Sequence, residues 1–168
     1  MDLFTQKLLT WQFFFSAVAA ASATLTGLLF VSLSLNRERL KGEKADVTLS
    51  IARNTFGDFL YVLMIALVFL VPHEVPTSLI VALMALGIAG GVGMIMREVR
   101  RYIDVKIKKQ DVKWIIRRIG LPSIASLGLI YVAVEIARHN YEAIYALVGV
   151  IAALLVSACW NAWLLLVE

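Results

Sequence analysis

The chain has 168 residues, of which 61% are hydrophobic, and its mean hydropathy is +0.84. Soluble domains usually contain about 45–50% apolar residues, so the composition excludes an ordinary soluble domain and indicates one integral membrane domain. A formal net charge of +4 would also suit a nucleic-acid-binding protein. The positive residues adjoin apolar runs, however, so we expect anionic lipid headgroups as their partners and no nucleic acid.

Five apolar runs follow one another along the chain, and a helix needs roughly 20 such residues to cross the hydrocarbon. They predict an all-α integral membrane protein with five transmembrane helices, at residues 9–35, 55–71, 77–96, 119–137 and 143–167. The first run is long enough to tilt or to emerge from the bilayer. A cleaved signal peptide is the competing interpretation, but its positive residues should precede the apolar run. Here they follow it, at Arg37, Arg39, Lys41 and Lys44.

Helix-capping and helix-breaking residues separate these runs. Asp46 precedes a helical pattern, and an Asp side chain can cap free backbone N–H groups, so we expect a helix to start there. Pro72 and Pro76 predict a tight turn between the second and third spans, because proline lacks the N–H donor. Pro122 is expected in the first turn of the fourth span, where the missing N–H has little effect.

Two polar segments, residues 36–54 and 97–118, hold fourteen of the sixteen Lys and Arg residues. Such an excess is typical of cytoplasmic loops, so we expect the N-terminus outside and the C-terminus in the cytoplasm. Within the second segment, Ile103, Val105 and Ile107 fit either a strand or a helix that continues the third span. We favour the helix, because the third span can simply extend.

The segment 97–118 is the most basic part of the chain, with nine Lys and Arg residues against three acidic ones, a net charge of +6. Each Lys or Arg near an anionic membrane surface contributes about 1 kcal/mol to binding. We therefore expect this segment to bind anionic lipid on the cytoplasmic side. The predicted headgroup contacts are Arg100, Arg101, Lys106, Lys108 and Lys109.

Small residues recur at helical spacing in the first and third spans. In lipid, helices associate through the close packing of such residues. The stripes comprise Ser16, Ala20, Ala23, Gly27 and Ser34 in the first span, and Gly87 and Gly91 in the third. Their spacing predicts tight helix contacts. It leaves open whether these contacts lie within one chain, between copies of a homo-oligomer, or along a pore.

Three polar residues inside the spans are candidate pathway or charge sites: Asp58, Asn54 and Asn161. At 1.5 Å per residue, Asp58 lies about 9 Å inside the hydrocarbon, where a carboxylate must face protein or water. The alternative is a structural ion pair that fixes the helix ends. For Asn161, an interhelical hydrogen bond is a more common role than a ligand site. Glu135, with Arg138 and His139 one turn later, is expected to form a local ion pair at the interface.

The sequence contains no pattern typical of an enzyme. An intramembrane aspartyl protease needs two neighbouring carboxylates, whereas Asp58 and Glu135 are expected near opposite faces of the membrane. No GxSxG, HExxH or phosphate-binding glycine loop occurs. The two histidines and the single cysteine are scattered, so we predict neither a metal site nor a cofactor, and the cysteine cannot form an intrachain disulfide.

The segment ATLTGLLFVSLSLN, residues 23–36, resembles a segment found in small prokaryotic membrane proteins. The resemblance implies a prokaryotic cytoplasmic membrane and no particular activity. Two functions remain open. The one we favour, from the hydroxyl-rich first span and the buried Asp58, is a small channel-like oligomer that passes an ion or a proton, with Asp58 at its inner mouth. The other is a non-conducting accessory or scaffold protein that docks a partner and anionic lipid. A transporter is less favoured, because five spans do not divide into two equal repeats.

Overall fold

A computed structural model describes residues 3–35, 45–72, 75–104 and 112–167, and within these ranges it contains helices and no strand. The helices are α1 Leu3–Leu35, α2 Ala45–Leu70, α3 Pro76–Asp104, α4 Val112–Ala137 and α5 Ile144–Val167, with a short 3-10 helix at Tyr141–Ala143. The prediction of an all-α protein is confirmed.

Four of the described helices contain stretches that are long and apolar enough to cross a membrane. These stretches are Gln6–Leu35, Ile51–Leu70, Pro76–Gly93 and Tyr141–Trp163, and α4 contributes a shorter apolar stretch, Ser123–Ala137. The chain therefore has the helices of an integral membrane protein.

Proline and the basic segment explain several helix boundaries. Pro72 follows the end of α2, and Pro76 is the first residue of α3, where proline is favoured because its N–H would have no helical partner. α3 continues to Asp104, well past Met96, so the helical interpretation of the basic segment is confirmed as far as Asp104. Residues 105–111 lie outside the described part of the chain. Pro122 corrects one expectation, because it lies inside α4 and not in the first turn of a helix.

The chain divides into two compact units. One comprises Met1–Lys7 and Pro72–Ile151, and the other comprises Leu8–Val71 and Ala152–Glu168. In the first unit α3 packs against α4. Leu79, Leu83 and Leu129 are fully buried in this unit. At Gly87 the two helices approach so closely that an added Cβ would lie 2.8 Å from Cγ1 of Ile130.

Large side chains fill the second unit. The rings of Phe15 in α1 and Phe69 in α2 stack with their centroids 4.0 Å apart and their planes within 3°. Further along, Leu29, Phe59 and Ala158 form a buried cluster that joins α1, α2 and the last part of α5. Three elements therefore share one core in this unit.

The buried residues of several helices recur at alternating spacings of three and four. In α5 they are Ile144, Leu147, Ile151, Leu154 and Ala158, and in α2 they include Ala52, Thr55, Phe59, Val62, Ala66 and Phe69. This repeat of 3.5 residues keeps one stripe of each helix directed at its neighbours, as in coiled coils and helical bundles. Large exposed hydrophobic residues lie on other sides of these helices, among them Leu60, Met64 and Leu67 in α2 and Val156 and Trp160 in α5.

Candidate functional site

Helix α1 has two different faces. Its buried face consists of Phe15, Val18, Ser22 and Leu29. The other, which we call the small-residue face, consists of Ser16, Ala20, Ala23, Gly27 and Ser34, and all five residues are exposed on the surface of the chain. At about 100° per residue the two faces are centred roughly 140° apart around the helix axis. The predicted small-residue stripe of α1 is therefore not its packing surface within the chain.

The surroundings of the glycines show the difference between an exposed face and a packed one. A Cβ added at Gly27 would meet nothing within 4 Å, and the same holds for Gly91 in α3. Gly87, one turn before Gly91, is the opposite case, because its added Cβ would also lie 3.2 Å from the carbonyl oxygen of Ser126. Of the glycines predicted to pack, Gly87 alone meets another helix.

Hydroxyl groups along α1 are bonded mainly to the backbone. Thr24 Oγ1 donates to the carbonyl oxygen of Ala20 at 2.8 Å, and Thr26 Oγ1 donates to that of Ser22 at 2.7 Å. A hydroxyl that donates still has lone pairs that can accept. The exposed Thr24 therefore presents an acceptor oxygen beside the small-residue face.

One hydroxyl crosses between helices. Ser22 is completely buried, and its Oγ donates to the carbonyl oxygen of Phe59 in α2 at 2.6 Å. Thr55, one turn before Phe59, is also fully buried and donates to the carbonyl of its own helix at Ile51. Ser22 therefore provides a hydrogen bond between α1 and α2, and Thr55 adds a second buried hydroxyl on α2.

The predicted polar site residues flank the cluster of Leu29, Phe59 and Ala158. Asp58 directly precedes Phe59 and is half-buried, as is Asn54 one turn earlier. Asp58 takes part in at least one bonded or electrostatic interaction. Asn161 is half-buried in α5, one turn after Ala158. All three residues therefore belong to one unit, and each is partly buried in it.

The predicted lipid contacts fall at the edge of the described chain. Arg100 and Arg101 lie on α3, but their side chains are outside the described part. Lys106, Lys108 and Lys109 lie wholly outside the described residues. The lipid-binding prediction for these five residues stays a prediction.

The turn between α4 and α5 is closed by a network around Glu135. His139 has a positive φ of 63°, and the N–H groups of His139 and Asn140 donate to the carbonyls of Ile136 and Glu135 at 3.0 and 2.9 Å. This is a Schellman motif, which satisfies carbonyls at a helix C-terminus. The Glu135 carboxylate accepts bonds from Arg138 Nη1 at 3.2 Å and from Asn140 Nδ2 at 2.9 Å. The expected local ion pair with Arg138 is present.

The start of α1 contacts this same turn. Lys7 Nζ forms an ion pair with the carboxylate of Glu142. Phe4 is 5% exposed, and its ring centroid lies 5.6 Å from that of Tyr141. His139 Nδ1 lies 3.3 Å from the Tyr141 hydroxyl, within hydrogen-bonding distance. The first two turns of α1 are thus held at the α4–α5 turn by a charge pair and a ring contact.

Sequence reasoning missed the contacts of Ser22, Phe4 and Lys7. Ser22 carried a signal, because it occupies the same heptad stripe as Phe15, Val18 and Leu29. The contacts of Phe4 and Lys7 join residues 135 or more positions apart, and no local pattern indicates such a pairing. Within the described residues no group of three His, Cys, Asp or Glu side chains could hold a metal ion.

No protein-family model matches the chain, and comparison with curated proteins and with solved structures finds no significant similarity. The function of the chain is therefore inferred from its own geometry.

Proposed function

We propose that the protein is a self-associating membrane protein of five spans that passes an ion or a proton. The observation that carries this proposal is the exposed small-residue face of α1. Small residues allow helix backbones to approach closely in lipid, yet all five residues of this face are exposed in the described part of the chain. A second copy is the partner that we infer for it.

The fifth span is supported by the contact between Lys7 and Glu142. This contact requires the start of α1 and the α4–α5 turn to lie on the same side of the membrane. Four helices separate them along the chain, and an even number of crossings returns the chain to its starting side. If α4 did not cross, the two groups would lie on opposite sides. The long α4, Val112–Ala137, is therefore included as a span.

Orientation is inferred from charge. The two polar segments with fourteen of sixteen Lys and Arg residues would lie in the cytoplasm, and Lys7 and Arg138 outside. The basic segment 97–118 would then face the anionic leaflet of a cytoplasmic membrane, with its net charge of +6. Anionic lipid is accordingly the proposed partner of Arg100, Arg101 and the three lysines that follow them.

Asp58 is the proposed charge site of the pathway. A half-buried carboxylate in a membrane helix is favoured only beside protein groups, water or a cation. Asn54 one turn away and the acceptor oxygens of the α1–α2 contact would provide further polar groups at this level. We infer that Asp58 sets the charge preference near the cytoplasmic mouth.

Purified protein in liposomes tests the conducting function. We expect ion or proton flux under a voltage or pH gradient, and Asp58→Asn should change the conductance or the cation preference while the protein stays folded. The absence of flux from wild-type protein under any gradient would refute the channel. If the Asp58→Asn variant conducts as the wild type does, Asp58 is not part of the ion pathway.

The assembly is tested on α1 with a matched pair of variants. Gly27→Leu fills the small-residue face and should abolish the oligomer, as measured by mass in detergent. Leu28→Ala changes an exposed large residue about 110° around the helix axis from the centre of that face and should leave the oligomer intact. Equal masses for the two variants would contradict an interface at the small-residue face.

A non-conducting scaffold is the second candidate. It is favoured by the bonds of Thr24 and Thr26 to their own helix, since a face whose donors are already satisfied can dock a helix without water. An oligomer that depends on Gly27 but shows no flux would support the scaffold over the channel.

A further inference from the structure

We propose that the first two turns of α1 act as a latch on the α4–α5 turn, and that opening of the latch frees the start of α1. The latch consists of the Lys7–Glu142 ion pair and the Phe4–Tyr141 ring contact. Its release point is the ion pair, since Phe4 is buried whereas the side chains of Lys7 and Glu142 are 40% and 62% exposed. Exposed pairs are weakened by salt and broken by charge reversal.

The receiving side of the latch is well ordered by its own bonds. Glu142 and Tyr141 lie in the short 3-10 helix that follows the Schellman turn. That turn is closed by backbone bonds to Glu135 and Ile136 and by the Asn140 side chain. The turn therefore holds the backbone that carries the Glu142 carboxylate and the Tyr141 ring, and the partner that is released is the start of α1.

Charge reversal and rescue test the latch. The variants are Lys7→Glu, Glu142→Lys and the double exchange, and the measurement is amide hydrogen exchange at residues 7–10, the first amides of α1 with helical acceptors. Each single reversal should speed exchange by about twofold to fivefold, the range that an exposed ion pair supports, and the double exchange should restore the wild-type rate. Single variants with wild-type rates, or a double variant as fast as the singles, would overturn the latch.

Discussion

The α1–α2 contact and the α3–α4 contact solve the same packing problem with different residues. α1 and α2 meet through a stacked pair of phenylalanines and one interhelical hydrogen bond. α3 and α4 meet where Gly87 lies against Ile130 and Ser126, with no room for a methyl group. The same chain thus uses small residues for packing in one helix pair and leaves them outside in the other. A small-residue stripe therefore marks a close contact only where the partner helix actually reaches it.

The largest loss of stability is expected from a substitution that disrupts the α1–α2 contact. Phe15→Ala removes a ring that is 1% exposed and stacked on Phe69. Replacing a buried Phe by Ala in a soluble core lowers the free energy of unfolding by about 3–5 kcal/mol. For Phe15→Ala we expect the free energy of unfolding to fall by about 3 kcal/mol, the low end of that range. The reason is that the surroundings of a membrane helix are lipid and not water, so that burial of the ring gains little from the hydrophobic effect. Equilibrium unfolding in detergent would measure it.

Phe13→Ala is the matched control on the same helix. Phe13 is 88% exposed, so its removal should change the free energy of unfolding by less than about 0.5 kcal/mol. If both variants lose the same stability, α1 does not pack on α2 through Phe15.

The second prediction concerns the α3–α4 contact, which is disrupted by adding a methyl group where the first prediction removes a ring. In Gly87→Ala the new methyl would lie 2.8 Å from Ile130 Cγ1 and 3.2 Å from a backbone carbonyl oxygen, and neither is the end of a flexible side chain. Overpacking of this kind destabilises by about 1–2 kcal/mol. The thermal unfolding midpoint should fall accordingly.

Gly91→Ala is its control, because the added methyl meets nothing within 4 Å. Alanine favours a helix over glycine, so this variant should be as stable as wild type or slightly more so. A lower midpoint for Gly91→Ala than for Gly87→Ala would reverse our assignment of the contact.

The sequence predicted the helices and turns well because these depend on neighbouring residues. Pro72 and Pro76 end and start helices by their missing N–H groups, and the extension of α3 to Asp104 followed its helical pattern. The faces were harder to predict. On α1 the heptad stripe through Phe15, Val18 and Leu29 and the small-residue stripe both had helical spacing, and lipid gives no hydrophobic preference between them.

The candidate site was predicted only in part for the same reason. A carboxylate within a span marks Asp58 from the sequence alone, but which helix covers it depends on how the spans are arranged. The ion pair of Lys7 with Glu142 joins two ends of the chain, and many other pairings would satisfy the same charges. Local pattern carries no information about such a choice.

The third prediction separates the polar from the apolar part of the α1–α2 contact. Ser22→Ala removes the donor to the Phe59 carbonyl and keeps the shape of the buried side chain nearly unchanged. Interhelical hydrogen bonds in membrane proteins average about 0.6 kcal/mol, so the loss of stability should be about a fifth of that for Phe15→Ala. Ser34→Ala, at an exposed position of the same helix, should have no measurable effect. A loss for Ser22→Ala as large as that for Phe15→Ala would mean that the hydrogen bond, and not the ring stack, holds the two helices together.

The smallest effect concerns the turn that ends α4 and so delimits the α3–α4 contact. His139 has a φ of 63°, a region that glycine adopts freely and that other residues occupy at a cost. His139→Gly should remove that strain, but it also frees the unfolded chain and loses the contact with Tyr141. We expect a net gain of at most about 0.5 kcal/mol. His139→Val should instead lose stability, since a branched side chain is strongly disfavoured at positive φ. Equal stability of the Gly and Val variants would show that the backbone conformation at residue 139 does not constrain the end of α4. The close approach of α3 and α4 at Gly87 would then depend on the contact between these two helices alone.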